Sequence, residues 1–544
     1  MVGGLLQIVA YGFQDIYLTN DPQITFFKVV YRRHTNFSIQ AFEKTFNDNP
    51  DFGKTNKVKL YRLGDLATKM YLRVVINAVT TVPGIPFAWV QRLGHAMIRR
   101  VEIEIGGVLI DRQYGTWLDV WYELARYGKH DYGYDKMIGE ITDLTTFDDQ
   151  PKPEYTLYIP LQFWFNRNYG LALPLISIQY HDIYISVEFE PNTQLIVRCP
   201  QFTAFDQVKI LEVGLVTDYI YLDMDERRRF ADKSHEYLIE QVQSENDLPA
   251  IITYPYRLVL NFINPTKELI WAMKNGNYTT GKEYLCYSNI QDWTITLINC
   301  SKQILTESMV LLSPGTPPPT PGTWEEFPPG VVDAFSNNGN LKITNMSLLT
   351  LWINITSLTI GNYSITSQIV ANIIISEFNA FLITIINPIS DRDASIPYIE
   401  MTDTRINPGS SVCVYQFNNY ALYITGKGNP LSSAMLEYNG QNRVDRRDGK
   451  FFGVLQPYLH HSNTPHDGIN LYSFAIEPEK HQPTGTSNLS KIENSILTMW
   501  FEDTGNINKT LPPITVLGLD SRLYIYAYSY NILRIISGLV GLSY

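Results

Sequence analysis

The sequence predicts an all-β protein built from two similar antiparallel sandwiches in tandem. Three observations carry that reading. Aromatic residues are abundant (36 Tyr, 25 Phe, 9 Trp) while charged residues make up 18% of the 544-residue chain, a balance that suits strands better than helices or disorder. Strand-like alternation recurs along most of the chain. The second half then repeats the first in outline, and a chain of this length is too long for one compact core.

The elements follow in order. The opening "MVGGLLQIVAYGFQD" is apolar but lacks a basic n-region and a small-residue cleavage site, so it is not read as a signal peptide. "DPQITFFKVVYRR" (21–33) begins with turn chemistry at Asp21-Pro22. The run Ile24–Tyr31 is aromatic and β-branched with Lys28 as its one charge, which predicts a first, buried strand. The cluster Arg32, Arg33, His34 then marks its exit to water, where acidic partners are expected. "VEIEIGGVLID" (101–111) sets Val101, Ile103 and Ile105 against Glu102 and Glu104 and turns on Gly106-Gly107, a hairpin. "TWLDVWYELARYG" (116–128) places apolar residues at helical spacing. "LPLISIQYHDIYISVEFE" (173–190) predicts a strand with Ile183, Ile185, Val187 and Phe189 on one face, and "ILEVGLVTDYIYLD" (210–223) closes the first half.

"DMDERRRFADKSHEYLIEQVQ" (223–243) starts with Asp223 and Glu226 in capping-box spacing and predicts a polar helix dividing two separate cores. Beyond it, "AMLEYNGQNRVD" (434–445) has the form of 101–111, and 470–501 echoes 156–189. "SRLYIYAYSYNILRI" (521–535) mirrors the Tyr-Ile-Tyr strand at 219–221. Between 274 and 434 lies an insertion, with the polyproline-prone "SPGTPPPTPG" (313–322) followed by an Ile/Thr/Ser-rich stretch. The proline loop is expected to be exposed and irregular. The stretch after it is expected to form a sheet of three or more strands, because a lone ribbon is marginal.

Composition also excludes functions. A net charge of −11 gives the long-range field the wrong sign for a coat that neutralises phosphates, so no direct nucleic-acid partner is expected. Four cysteines (Cys199, Cys286, Cys300, Cys413) without CxxC spacing predict reduced core residues. No apolar run approaches the ~20 residues of a membrane span. The chain has no phosphate-binding loop, HExxH or GxSxG. Glu102 and Glu104 share a strand face, as glycosidase carboxylates would, but a solvent-facing strand explains them as well. His460, His461 and His466 have no acidic or cysteine partner at ligand spacing, which favours a structural role over a metal site. No catalytic residue, metal or cofactor is therefore expected. Asn-X-Ser/Thr sequons stand at Asn36, Asn488 and Asn508, and five more (Asn277, Asn299, Asn345, Asn354, Asn362) cluster between 277 and 362. That cluster makes the insertion the candidate for glycan attachment.

Taken together, several segments resemble the major capsid proteins of the nucleocytoplasmic large DNA viruses, the double jelly-roll family. They are "GGLLQIVAYGFQDIYLTNDPQITFFKVVYRRHTNF", "LPLISIQYHDIYISVEF", "DYIYLDMDERRRFADKSHEYLIEQVQ", "DGKFFGVLQPYLHHSNTPHDGINLYSFAIEPEKHQPTGTSNLSKIENSILTMWF" and "YSYNILRIISGLVGLSY", in the family's order. Asn264-Pro265 departs from the His-Pro pair more usual there, and 285–430 has no recognised counterpart. The resemblance implies two eight-stranded antiparallel jelly rolls with short helices and a large β-rich insertion in the second. It implies an arm at 1–20, jelly roll one at 21–222, a linker helix at 223–243, and jelly roll two at 244–544 with a projecting insertion at 280–430. It implies a structural, non-enzymatic role: a homotrimeric capsomer of pseudo-hexagonal outline tiling an icosahedral virion shell assembled in the host cytoplasm. Implied partners are neighbouring capsomers, minor capsid proteins, a penton protein and an internal membrane near the arm. The alternative reading is a glycan-binding or glycan-cleaving β-sandwich protein of a virus surface.

Overall fold

Period-2 patterning fixes which strands form, and the sheets follow from their pairing. In the computed structural model residues 3–274 are described except 47–48, 81–86, 127–130, 146–149, 199–201 and 249–254. Residues 285, 287, 429–501 and 521–543 are also described, with the backbone of seven strands between 340 and 415. The first half contains β1 (Phe37–Thr45), β2 (Thr55–Leu60), β3 (Leu66–Ile76), β4 (Phe87–Trp89), β5 (Ile98–Ile105), β6 (Val108–Gln113), β7 (Tyr155–Pro160), β8 (Ile183–Phe189), β9 (Ile196–Arg198) and β10 (Ile210–Leu222). They form the sheets β1-β10-β3-β7 and β2-β8-β5-β6, with β4 and β9 as a separate ribbon.

The second half opens with β11 (His235–Leu248), β12 (Tyr256–Val259) and β13 (Pro265–Lys274). The insertion follows with β14 (Asn340–Asn345), β15 (Leu349–Ile360), β16 (Tyr363–Thr366), β17 (Ala371–Ile375), β18 (Phe381–Ile385), β19 (Tyr398–Asp403) and β20 (Ser411–Tyr415). The chain ends with β21 (Leu431–Tyr438), β22 (Gln441–Asp448), β23 (Ile469–Ser473), β24 (Ser487–Asn488), β25 (Ser495–Phe501), β26 (Arg522–Ile536) and β27 (Leu539–Leu542). The sheets are β11-β26-β13-β23, with β24 and β27 at its margins, and β12-β25-β21-β22.

Leaving aside the short strands and the insertion, each half has eight strands in the same arrangement. One sheet takes the first, eighth, third and sixth strands; the other takes the second, seventh, fourth and fifth. This antiparallel permutation is a jelly roll, and it occurs twice. The hairpins β5–β6 and β21–β22 turn on Gly106-Gly107 and Asn439-Gly440, all four with positive φ, as two-residue turns require. The insertion joins the third and fourth strands of the second barrel. Five of its strands form one sheet (β14-β15-β19-β20 with β16 on β15) and β17–β18 form a hairpin, as the need for three or more strands predicted. The proline-rich loop lies outside the described residues.

The structure corrects four expectations. Ile24–Tyr31 is not a strand: the segment lies open, with Phe26 90% and Phe27 98% exposed. The place beside β10 is held by residues 37–45, paired in continuous register from Phe37↔Leu222 to Thr45↔Gly214. An edge strand over a core needs alternation, with Phe42 turned inward beside Tyr219 and Glu43 outward to Arg73. A run apolar on both faces needs cover on both, and the described residues supply none. Second, the helix after Asp223 ends at Asp232, although Asp223 caps it as expected, accepting from the Glu226 N–H at 2.9 Å. From His235 the chain is strand β11, because Ile239 and Val242 are buried while the backbone pairs with β26. Third, the strand expected from 173 starts only at Ile183, though Ile183, Ile185, Val187 and Phe189 share the buried face as predicted.

The fourth concerns the cores. The second barrel has its own, with Leu269, Trp271, Leu436, Met499 and Ile525. The first barrel's core does not stop at its own sheets. It continues onto Ile239, Ile270, Tyr524, Tyr526 and Tyr528 of the second barrel, so the two are welded by apolar packing.

Candidate assembly surfaces

The weld between the barrels is built from a helix and a two-faced strand. Gly115–Ala125 leaves β6 as an amphipathic helix with Trp117, Leu118, Trp121 and Leu124 buried. On β26, Leu523, Ile525 and Ala527 point into the second barrel, while Tyr524, Tyr526 and Tyr528 point at the first. The Trp117 ring lies 5.2 Å from that of Tyr526, and the Trp121 ring 5.1 Å from that of Tyr528. At the edge of the seam the Val242 N–H donates to Asp111 at 3.1 Å, and the Gln241 side chain donates to the Ile110 carbonyl. Burial pushes the Asp111 carboxyl up to about 6 against the hydrogen bonds it accepts from the Val242 N–H and the Gln113 side chain.

Two charged clusters sit in the same seam. Arg167 of the first barrel pairs with Glu240 of the second at 3.1 Å, donates to the Tyr528 hydroxyl, and lies over the Trp121 ring at 5.0 Å. Lys267 reaches the other Glu240 oxygen at 2.6 Å. Burial would raise the Glu240 carboxyl, but Arg167 and Lys267 hold it well below the usual carboxylate range. In the second cluster His461 stands between Glu268 (2.7 Å) and Glu479 (3.0 Å), fully enclosed. Burial alone would lower the imidazole; the Glu268 charge and the two hydrogen bonds lift it to about 9.

That geometry gives a pH prediction. A histidine whose folded value is raised from 6.5 to about 9 contributes stability that is complete below pH 6.5 and lost as pH rises through about 9. The loss is about 3 kcal/mol. Thermal melts from pH 7 to 10 should fall more steeply for the wild type than for His461→Gln. Parallel slopes would refute the assignment.

The residues singled out by sequence fall mostly into structural roles. Glu102 pairs with Arg112 at 2.5 Å and Glu104 with Lys57, so the two carboxylates are held by cations on the outer strand face. His461 has acidic partners that sequence spacing hid, since Glu268 is on β13 and Glu479 lies beyond β23. The His460 Nδ1–H donates to the Ile476 carbonyl at 3.0 Å, and His466 is exposed 3.8 Å from Glu123. Among the described residues no group of three or more His, Cys, Asp or Glu is arranged to hold a metal. No helix there is long and apolar enough to cross a membrane. Arg32 and Arg33 are exposed and make no ion pair among the described residues, contrary to expectation. Asn345 ends β14 and Asn354 lies on β15, while Asn277, Asn299 and Asn362 fall outside the described residues. Sequence reading missed Arg167, Glu240 and Lys267. The signal was present in "PTKELIWAMK", where a lysine inside an apolar strand demands a buried counter-charge.

A second surface is the open N-terminal segment. Leu5, Ile8, Phe13, Tyr17, Leu18, Phe26, Phe27 and Tyr31 are all exposed, an apolar density far above that of a free-standing surface. Residues 25–223 match the family described as major capsid protein N-terminus, and 226–541 match the large eukaryotic DNA virus major capsid protein family. The chain belongs to that family. Capsid protein 1 of Acanthamoeba polyphaga mimivirus is 36% identical over 610 residues, with both chains covered in full. The major capsid protein of Phaeocystis pouchetii virus is 34% identical over 580 residues, again with full coverage of both. A chain in the quasi-atomic model of the PBCV-1 virus capsid is 26% identical with a TM-score of 0.61, covering 96% of this chain and 100% of that one. As a major capsid protein the chain has a structural role in the virion. The glycan-binding alternative finds no support.

Proposed function

We propose that this major capsid protein forms a homotrimer whose six barrels make one pseudo-hexagonal capsomer of an icosahedral shell. The observation that carries the reading is the duplicated strand order: two barrels of one topology, joined rigidly by the seam, give three chains six like units. Neighbouring capsomers, minor capsid proteins and a penton protein are the partners. The exposed apolar arm lies on the inner side, toward minor proteins and an internal membrane. The insertion projects outward, where Asn277, Asn299, Asn345, Asn354 and Asn362 accept glycans. Assembly takes place in the host cytoplasm. Trimer contacts of this kind bury more than roughly 2,000 Å² and are mostly apolar, so they persist in salt. Sedimentation at micromolar concentration in low and high salt should give three times 62.4 kDa. A monomer under both conditions would refute the trimer.

A further inference from the structure

The helix Gly115–Ala125 of the first barrel is finished by a loop of the second. The last carbonyls of a helix have no partner within it, and its C-terminus favours positive charge. This helix has no basic residue in its last turn. The Arg126 N–H turns back to the Tyr122 carbonyl, and Asn463 satisfies the next two. Its side-chain amide donates to the Glu123 carbonyl at 2.8 Å, and its N–H to the Leu124 carbonyl at 3.1 Å.

The loop is anchored on one side of Asn463 only. At its base His461 is fixed by Glu268 and Glu479 and stands edge-on to the Trp121 ring at 6.5 Å. Ser462 donates to Glu479 through both its N–H and its hydroxyl. Beyond Asn463 the chain passes the buried Pro465 and sets His466 in the open, with 58% of its side chain exposed.

His466 faces a carboxylate with one oxygen to spare. Arg92 takes one Glu123 oxygen; the other is buried and accepts no hydrogen bond among the described residues. Such an acceptor is costly to leave unmade. The His466 Nε2 stands 3.8 Å from it, beyond hydrogen-bond reach. Charge around Glu123 is unbalanced. Arg92 also serves Asp119, one turn earlier, at 2.6 Å and Glu140 at 3.1 Å, so three carboxylates share one guanidinium. The remaining neighbours are His95, 3.6 Å from Asp119 with its other nitrogen on the Tyr134 hydroxyl, and Arg126, which lies over the Tyr122 ring. On the loop itself Asp467 follows His466.

We propose that Ser462–His466 is an acid-closed clasp between the two barrels. Imidazoles change charge between pH 5 and 8. Protonated, His466 moves onto the open Glu123 oxygen and locks the Asn463 cap on the helix. Without the proton, Asn463 holds alone. A histidine that gains a partner when charged lends stability in acid and withdraws it as pH rises. His461, lifted to about 9, keeps its charge through this range and serves as the fixed post.

A double-mutant cycle on His466→Gln and Glu123→Gln tests the clasp, read by urea unfolding at pH 5.5 and pH 8.0 at one protein concentration. At pH 5.5 His466→Gln should raise the unfolding constant about fivefold, the upper end for a half-exposed ion pair. At pH 8.0, or in the Glu123→Gln background, the effect should be less than twofold. Titrations common to all four proteins, His461 included, cancel in the cycle. An equal effect at both pH values, or one that survives in Glu123→Gln, would overturn the clasp. Should Glu123→Gln fail to fold, amide exchange over residues 119–126 decides with His466→Gln alone, which alters only an exposed ring. After correction for intrinsic rates, wild type should lose protection there between pH 5.5 and 8.0 and the variant should not. The same pH dependence in both proteins would overturn the proposal.

Discussion

Replacing Arg167 with methionine is expected to destabilise the protein by about 3–5 kcal/mol, the cost of leaving a buried carboxylate without its principal counter-charge. Arg167 and Glu240 come from different barrels, and both are largely buried. Methionine keeps the apolar stem against Trp121 and Tyr528 but removes the guanidinium. Lys267 remains on one Glu240 oxygen, and the other loses its partner. The triple replacement Arg167→Met, Lys267→Met and Glu240→Leu should recover most of the loss, because it removes all three charges together and leaves none unpaired in a buried site. Urea unfolding at a fixed protein concentration reads both. A single replacement within about 1 kcal/mol of wild type, or a triple replacement no better than the single, would contradict this account of the seam.

Trp117→Ala should cost a similar amount, about 3–5 kcal/mol, through the cavity left by a large buried ring. Its second effect is more diagnostic. Trp117 is buried against Tyr526 and Tyr528, which belong to the other barrel. The first barrel's core reaches the second mainly through such rings, so their loss uncouples two units that otherwise unfold together. Calorimetry should show one transition in wild type and two in Trp117→Ala. Loss of stability with a single transition retained would mean that the barrels are coupled elsewhere.

Much of the fold was legible because it depends on neighbours in sequence. Alternation in 101–111 and 434–445, with Gly-Gly and Asn-Gly between the strands, specified two hairpins that the structure contains. Helical spacing of Trp117, Leu118, Trp121 and Leu124 specified the helix. The echo of 156–189 in 470–501 marks the sixth and seventh strands of both barrels. The same local logic misplaced Ile24–Tyr31. A run apolar on both faces reads as a buried strand whether the cover comes from the same chain or from elsewhere. It also ran the helix past Asp232, because "HEYLIEQVQ" carries residues tolerated in either state until β26 pairs with it.

By itself, then, the sequence determined the two hairpins, the helix after β6, the duplication and the family, all of which rest on short-range pattern or on segments in order. Only the tertiary structure decided which faces are buried and which charges meet. Arg167, Glu240, Lys267 and Tyr528 are brought together from positions more than 350 residues apart at the extremes, and His461 finds Glu268 across 193 residues. Periodicity shows that a strand has two faces; it carries no information about what lies against the second one. That is why β26, covered on both sides, and the outer face of β1-β10-β3-β7, open on one, could be told apart only once the barrels were packed.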